Sequence, residues 1–140
     1  VTVLLAFVKL IERQTARIVG GRPVLKYPFL VGLEEHGRLI CAGSLITDRH
    51  VLTAAHCIGS ATTAYTLVVF SQDPSAPVPS ACHERIPAIR KACADYDSDT
   101  MDNDLCILVL AKRPICADKY PRPTLARSVP ASGTHAVATG

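Results

Sequence analysis

The imidazole of His56, in the segment Leu52-Thr53-Ala54-Ala55-His56-Cys57, is the side chain with the clearest potential for chemistry. It follows the apolar pair Val51-Leu52 and lies between two alanines and a cysteine, where a strand is expected to give way to a tight turn. An imidazole has an ordinary pKa of about 6.5 and exchanges a proton near neutral pH, which suits a general base. A single histidine is also common as a structural hydrogen-bonding group, so the interpretation depends on its neighbours.

Three segments, in chain order, resemble the trypsin/chymotrypsin-like serine protease family. Arg17-Ile18-Val19-Gly20-Gly21 resembles the activation site of that family. Residues 41–46 and 51–57 resemble its histidine-box hairpin. Asn103-Asp104-Leu105, followed by the apolar run Ile107 to Leu110, resembles its aspartate strand. Three matches in the same order are far more specific than any one of them.

The resemblance covers nearly all of the chain from Arg17 to Gly140. It implies an all-β fold, the first antiparallel six-stranded barrel of a chymotrypsin-like double β-barrel, with the linker and first strand of the second barrel. The nucleophile motif of the family, Gly-Asp-Ser-Gly-Gly, does not occur in the sequence. We therefore expect an N-terminal fragment that is inactive alone, because the second barrel supplies the serine, the oxyanion-hole amides and the specificity pocket.

The same resemblance divides the chain into four parts. Residues 1–17 would be a signal remnant or propeptide, residues 18–115 the first barrel, residues 116–131 the inter-barrel linker, and residues 132–140 the start of a truncated second barrel. The apolar run Val1 to Val8 has the length of a signal-peptide core and is too short to cross a bilayer, since a spanning helix needs about 20 residues.

Short segments rich in β-branched and aromatic residues predict strands from Phe29 onward. These are Phe29–Glu34, Leu39–Thr47, Val51–Ala54, Tyr65–Phe70 and Leu105–Leu110, with a hairpin turn at Glu35-His36-Gly37. Several short strands at this spacing indicate a β-barrel or sandwich. The segment from Ser71 to Ser80 contains three prolines, which cannot join a central ladder, so it is expected on the surface.

The resemblance also assigns catalytic roles. His56 would act first as general base and then as acid towards the leaving amine, and Asp104 would hold its ring in one tautomer and stabilise the imidazolium. Asp104 is preferred because it directly precedes an apolar run that should be a buried strand. The other candidate carboxylates lie in a polar stretch that is more typical of a solvated loop, namely Asp95, Asp97, Asp99 and Asp102.

Arg17 and Ile18 would form the activation cleavage site. In the family, cleavage at this bond frees an isoleucine ammonium, which pairs with a carboxylate beside the nucleophilic serine and orders the specificity pocket. Without the other matches, Arg-Ile-Val-Gly-Gly would be interpreted as a turn before a strand.

A calcium site is the alternative use of the acidic stretch, because Asp95, Asp97 and Asp99 alternate like the first ligands of an EF-hand loop. The sixth position of such a loop would be Thr100 where glycine is required, and the twelfth would be Cys106 where glutamate is required. The sequence therefore predicts no metal and no cofactor.

Six cysteines, with no Cys-x-x-Cys pair and no regular Cys/His ligand spacing, favour disulfides and an oxidising compartment. The resemblance implies one bridge, Cys41 to Cys57, which clamps the histidine loop in the family. The remaining four allow three pairings among themselves, and the partner of Cys106 is either Cys93 or a cysteine outside the chain. These four, whose pairing stays open, are Cys82, Cys93, Cys106 and Cys116.

Composition narrows the possible functions. A chain of 140 residues, 49% hydrophobic and 19% charged, is one ordinary globular domain. The formal net charge of +3 is spread along the sequence, which argues against nucleic-acid binding.

Together with the resemblance, this predicts a secreted, extracellular, trypsin-like serine endopeptidase made as a zymogen. Its partners would be polypeptide substrates, protein inhibitors and an activating protease, with no nucleic acid and no membrane. The alternative is a non-catalytic serine protease homologue that acts as a secreted binding or regulatory protein. The presence of both His56 and Asp104 argues against that alternative.

Overall fold

The computed structural model of the chain describes residues 27–59, 63–70 and 80–136. The strands are β1 Leu30–Glu35, β2 Arg38–Leu45, β3 His50–Thr53, β4 Tyr65–Val69, β5 Glu84–Cys93 and β6 Cys106–Leu110. Two 3-10 turns, Ala55–Cys57 and Ser80–Cys82, complete the regular structure of these described ranges. No helix in them is long and apolar enough to cross a membrane.

The six strands close into a barrel in the order β1-β2-β3-β6-β5-β4, in which β4 returns to pair with β1. Every neighbouring pair is antiparallel. The predicted six-stranded antiparallel barrel is confirmed. Closure gives each of these six strands a neighbour on both sides.

Alternating apolar residues form the core of the barrel. In β4 and β6 every second residue is buried, beginning with Tyr65 and Cys106, because successive side chains of a strand point to opposite faces. The largest fully buried side chains include Val31, Leu33, Leu45, Val51, Leu67, Ile86, Leu108 and Leu110. Complete burial of such a side chain contributes about 1.5–3 kcal/mol relative to exposure.

A two-residue turn, His36 and Gly37, connects β1 to β2, and Glu35 lies opposite Arg38 at its base. Both turn residues have positive φ angles, 50° and 74° respectively. Two consecutive left-handed residues are typical of the hairpin turn whose twist matches that of the flanking strands. The hairpin turn expected from Glu35-His36-Gly37 is therefore confirmed, and glycine is suited to the second position.

The residue pattern did not reveal β5, although the family resemblance implied a sixth strand. Ile86 is the one fully buried residue among its ten. Pro87 lies within the strand, and the register with β6 shifts between Ala88 and Arg90. The shift interrupts the alternation of buried and exposed residues that would otherwise identify a strand.

Beyond β6 the described chain has no further strand. Residues 115–119 form turns, and residues 121–131 have neither helix nor strand. Residues 132–136, where the resemblance placed the start of a second barrel, form a turn followed by irregular chain. Residues 137–140 lie outside the described part of the chain.

Replacement of Leu108 tests the position of the core. Leu108 is fully buried, with 0% exposure, whereas Leu125 is 58% exposed. We expect Leu108→Ala to lower the free energy of unfolding by about 2–5 kcal/mol, through lost burial and a residual cavity. Leu125→Ala should change it by about 0.5 kcal/mol or less. Urea denaturation measures both, and equal effects of the two substitutions would contradict the described core.

Candidate active site

The pairing of β3 with β6 brings the two predicted catalytic residues to the same end of the barrel. Thr53, the last residue of β3, lies opposite Cys106, the first residue of β6. The chain leaving β3 towards His56 therefore lies beside the chain that enters β6 from Asp104. This register explains how two residues separated by 48 positions meet.

The carboxylate of Asp104 accepts two hydrogen bonds from His56. The main-chain amide of His56 donates to Asp104 Oδ1 at 2.8 Å, and Nδ1 of the ring lies 2.7 Å from Oδ2. Each side chain is 25% exposed. One carboxylate therefore sets both the main-chain position of the histidine and the orientation of its ring.

This geometry selects one tautomer of the ring. An ionised carboxylate only accepts hydrogen bonds, so Nδ1 of His56 carries the hydrogen that it donates to Asp104. In the neutral imidazole Nε2 then has the lone pair. That tautomer can take a proton at Nε2 while the carboxylate stabilises the positive charge that develops on the ring.

The pKa of Asp104 lies below its ordinary value. Partial burial by itself raises the pKa, because it disfavours the charged form. The hydrogen bonds from the ring and the main chain of His56, the attraction to that ring, and a hydrogen bond from the main chain of Ala55 outweigh burial. The site therefore keeps Asp104 ionised.

Two links to β2 hold the chain segment around His56 in place. His56 is the middle residue of the 3-10 turn Ala55–Cys57, and a disulfide joins Cys57 to Cys41 on β2. This is the bridge that the resemblance implied. The buried hydroxyl of Thr53 donates to the carbonyl of Ala42 at 2.9 Å, which adds a second link between β2 and the end of β3.

Gly43 allows β2 and β3 to approach closely just before the histidine turn. A Cβ atom at this position would lie 2.8 Å from the carbonyl oxygen of Leu52 and 2.8 Å from Cγ1 of Val51. The carbonyl oxygen belongs to the paired backbone and cannot move aside without disturbing the ladder. Glycine is therefore required here by the close approach of two backbones.

Asp104 is positioned by a loop that closes on itself. The disulfide between Cys93 and Cys106 joins the end of β5 to the start of β6, and the Ala94 amide donates to the Leu105 carbonyl at 3.0 Å. Asn103 has a positive φ of 57°, and its side-chain amide donates to the Asp95 carbonyl at 3.1 Å. Asparagine tolerates this left-handed conformation better than most residues, so it suits the position before Asp104.

The remaining carboxylates of the acidic stretch are exposed, namely those of Asp95, Asp97, Asp99 and Asp102. Asp97 Oδ1 accepts hydrogen bonds from the amides of Asp99 at 2.8 Å and Thr100 at 3.2 Å. Those bonds lower the pKa of Asp97 below its ordinary value. The loop thus uses Asp97 to order its own backbone.

One group of possible metal ligands occurs in the described ranges, and it overlaps the site. Donor atoms of Cys41, His56 and Cys57 lie within 4.8 Å of one another. Both sulfurs belong to the same disulfide, so neither is a thiolate that could bind a metal ion. The group does not fit a metal site in the oxidised protein.

The four cysteines whose pairing the sequence left open form two bridges. Cys93 pairs with Cys106, and Cys82 pairs with Cys116. All six cysteines of the chain are therefore in disulfides. The partner of Cys106 is within the chain.

Sequence reasoning missed the residues that hold the chain after the histidine turn. The amide of Gly59 donates to the hydroxyl of Tyr65, and Nζ of Lys91 lies 3.5 Å from the Gly59 carbonyl oxygen and 5.3 Å from the centre of the Tyr65 ring. No local pattern relates these three residues, because they come from different strands and a loop.

The predicted activation cleavage site, Arg17 and Ile18, lies outside the described part of the chain.

Comparison with known proteins decides the family. The sequence model named Trypsin matches residues 18–140. The chain belongs to the trypsin family. The membership in the trypsin/chymotrypsin-like serine protease family that the sequence motifs indicated is confirmed. This is a family of serine peptidases, which hydrolyse peptide bonds.

Trypsin theta of Drosophila erecta is 36% identical over 137 residues, an alignment that covers 92% of this chain and 49% of that protein. Trypsin V-A of Rattus norvegicus is 32% identical over 132 residues, covering 92% of this chain and 51% of that protein. The structure of neuropsin, a serine protease expressed in mouse brain, superposes with a TM-score of 0.62 at 25% identity, covering 76% of this chain and 47% of that chain. The chain spans about half the length of the curated relatives it matches.

Removal of the bridge beside His56 should destabilise the barrel. The Cys41–Cys57 disulfide has a sequence separation of 16. We expect Cys41→Ala combined with Cys57→Ala to lower the free energy of unfolding by roughly 3 kcal/mol, because the unfolded chain gains conformational freedom. Urea denaturation under non-reducing conditions measures the change. An unaltered unfolding midpoint would show that the bridge does not constrain this turn.

The lowered pKa of Asp104 predicts a pH-dependent contribution to stability. An aspartate in the unfolded chain has a pKa of about 3.9. Because the folded-state pKa of Asp104 is lower, its carboxylate stabilises the fold above the unfolded pKa, and this contribution is lost as pH falls through the folded pKa. The difference in unfolding free energy between wild type and Asp104→Asn should therefore be largest at neutral pH and shrink on acidification. Asp102→Asn is the control, and a pH-independent difference for Asp104→Asn would contradict the assignment.

Proposed function

We propose that this chain supplies the general base and its orienting carboxylate to a secreted serine endopeptidase of the trypsin type, made as a zymogen. The observation that supports the proposal is the pair of hydrogen bonds from His56, through its ring and its main chain, to the one carboxylate of Asp104. A binding role would not require that the ring be held in the proton-accepting tautomer. Membership of the family adds peptide hydrolysis as the reaction class.

In the proposed reaction a serine hydroxyl attacks the carbonyl carbon of a peptide bond. Nε2 of His56 takes the hydroxyl proton as the new C–O bond forms, and Asp104 stabilises the resulting imidazolium. The ring then gives that proton to the leaving amine as the C–N bond breaks. Water, activated by the same ring, hydrolyses the acyl-enzyme and restores the serine. The substrates are accordingly polypeptides.

The nucleophilic serine is proposed to come from the part of the family that this chain does not span. The matched relatives are about twice as long, and the sequence lacks the Gly-Asp-Ser-Gly-Gly motif. The oxyanion-hole amides and the specificity pocket would come from the same part. The isolated 140-residue chain is accordingly proposed to be inactive, since base and carboxylate alone have no hydroxyl to activate.

Activation is proposed to follow cleavage between Arg17 and Ile18, and the partners would then include an activating protease and protein inhibitors. Secretion is supported by the use of all six cysteines in disulfides, since such bonds persist in oxidising compartments and are rare where thiols are kept reduced.

Labelling by a serine-directed phosphonate tests the proposed function on the intact natural protein after cleavage at Arg17. We expect stoichiometric labelling of the wild type and a loss of labelling rate of at least about 10³-fold in His56→Ala. Asp102→Asn, in the same loop as Asp104 but exposed, should label like the wild type. An unlabelled wild type would overturn the proposal in favour of a non-catalytic homologue.

Asp104→Asn separates orientation of the ring from substrate binding. An asparagine amide can donate to Nδ1 and so favours the tautomer with the hydrogen on Nε2. We expect kcat of the intact protein to fall by about 10⁴-fold, the loss known for this replacement in the family, with KM little changed. Steady-state hydrolysis of a peptide ester or amide measures both constants. A variant whose kcat stayed near that of the wild type would contradict the role given to Asp104.

A further inference from the structure

The disulfide between Cys93 and Cys106 differs from the other two bridges of the chain in its exposure. All four cysteines of those two bridges are buried, and none of them is more than 7% exposed. Cys106 is buried as well, but Cys93 is exposed. Thiol–disulfide exchange requires that a thiolate reach one of the two sulfurs, so this bridge is the one that a thiol in solution can open most readily.

The same bridge adjoins the candidate active site. Cys106 is the first residue of β6 and follows Asp104 by two positions. Cys93 is the last residue of β5 and lies opposite Cys106 in the register of the two strands. The bridge therefore closes the base of the segment that presents the carboxylate to His56. We call this segment, residues 94–105, the aspartate loop.

Hydrogen bonds within the aspartate loop join its own residues to one another. The amide of Asp97 donates to the carbonyl of Asp102 at 3.0 Å, and the side-chain amide of Asn103 donates to the carbonyl of Asp95 at 3.1 Å. Bonds of this kind fix the shape of the loop. They do not fix its position relative to the barrel, which depends on its base.

Two non-covalent contacts accompany the bridge at the base of the loop. The amide of Ala94 donates to the carbonyl of Leu105 at 3.0 Å, and the half-buried ring of Tyr96 packs against the core. These contacts keep the loop near the barrel when the bridge is open. They constrain it less than a covalent bond does, because a hydrogen bond and a packed ring can separate and re-form.

We propose that the Cys93–Cys106 disulfide is a redox-sensitive control of catalysis, in which a low-molecular-weight thiol opens the bridge, frees the aspartate loop and slows the reaction at His56. The proposal rests on the function proposed above for His56 and Asp104. Opening the bridge removes the closure constraint across the 13 positions that separate the two cysteines. With more conformations open to the loop, Asp104 keeps both hydrogen bonds to His56 for a smaller fraction of the time.

The exchange takes place in two steps. The thiolate of the small thiol attacks Sγ of Cys93, the exposed member, so that a mixed disulfide forms while the bond to Cys106 breaks and Cys106 leaves as a thiolate. A second molecule of the thiol attacks the mixed disulfide and releases Cys93. The products are two cysteine thiols and the disulfide of the small thiol. Two electrons pass from the small thiols to the bridge, and their two protons end on Cys93 and Cys106.

We expect the barrel to stay folded when this bridge opens. Cys106 lies in the core, where a free thiol packs like a small apolar side chain. The backbone pairing of β5 with β6 begins at Ala88 and Leu110, at the far end from the bridge, and does not depend on the sulfurs. The two buried bridges stay closed. The effect is therefore confined to the aspartate loop, which distinguishes control of the site from unfolding.

The test titrates the intact natural protein, after cleavage at Arg17, with reduced glutathione as the probe thiol. Alkylation of the freed thiols followed by mass spectrometry identifies the open bridge, and we expect Cys93 and Cys106 to be modified before any other cysteine of this chain. Over the same range of thiol, the rate of labelling by a serine-directed phosphonate should fall by at least about tenfold, because small displacements of catalytic groups are costly. Oxidised glutathione should restore the rate. The far-ultraviolet circular dichroism spectrum should not change.

Paired substitutions separate this bridge from the others. Cys93→Ala combined with Cys106→Ala should show the lowered labelling rate without thiol and no further response to it. Cys82→Ala combined with Cys116→Ala removes a buried bridge and should respond to thiol as the wild type does. If the first double variant does not fold, reduction and reoxidation of the wild type gives the same comparison.

The outcomes distinguish this proposal from the proposed function. If the wild type labels at an unchanged rate with Cys93 and Cys106 fully alkylated, the redox control is overturned and the proposed function stands. Opening of a buried bridge before this one would also overturn the control. An oxidised wild type that is not labelled at all would overturn both, and that result is obtained before any thiol is added.

Discussion

The site depends on one carboxylate that binds a histidine twice. Asp104 accepts from the ring and from the main chain of His56, so a shift of either chain segment breaks at least one bond. Partial burial of the anion is unfavourable, and the hydrogen bonds from His56 and Ala55 offset it, which is why its pKa falls. The β3–β6 register and the loops at its end have one common effect, which is to keep these two segments in place.

A disulfide anchors the chain segment beside each of the two residues, His56 and Asp104. Cys57 directly follows His56 and is joined to β2, while Cys106 follows Asp104 by two residues and is joined to the end of β5. The third bridge, between Cys82 and Cys116, holds the chain where it leaves the barrel. Covalent constraint is thus concentrated at the site and at the exit of the barrel.

Local patterns in the sequence were sufficient for the family, for five strands and for the His36-Gly37 turn, since each produces a motif or an alternation within a few residues. They were insufficient for β5, where Pro87 and a register shift disturb the alternation. The pairing of Cys82 with Cys116, 34 positions apart, depends on the folded path of the chain. The contacts among Gly59, Tyr65 and Lys91 also depend on the folded path of the chain, so no rule based on residue spacing could have revealed them. Asn103 carried a usable signal, because asparagine tolerates the left-handed conformation that is found just before Asp104.

The most direct test of the central claim is the tautomer of the His56 ring. Nitrogen-15 magnetic resonance of labelled protein, under conditions in which the ring is neutral, distinguishes a hydrogen on Nδ1 from one on Nε2. The geometry predicts the hydrogen on Nδ1, bonded to Asp104, and a shift of population towards Nε2–H in Asp104→Asn. A wild-type ring with its hydrogen on Nε2, or a tautomer unaffected by Asp104→Asn, would contradict the assignment of this pair as base and orienting carboxylate.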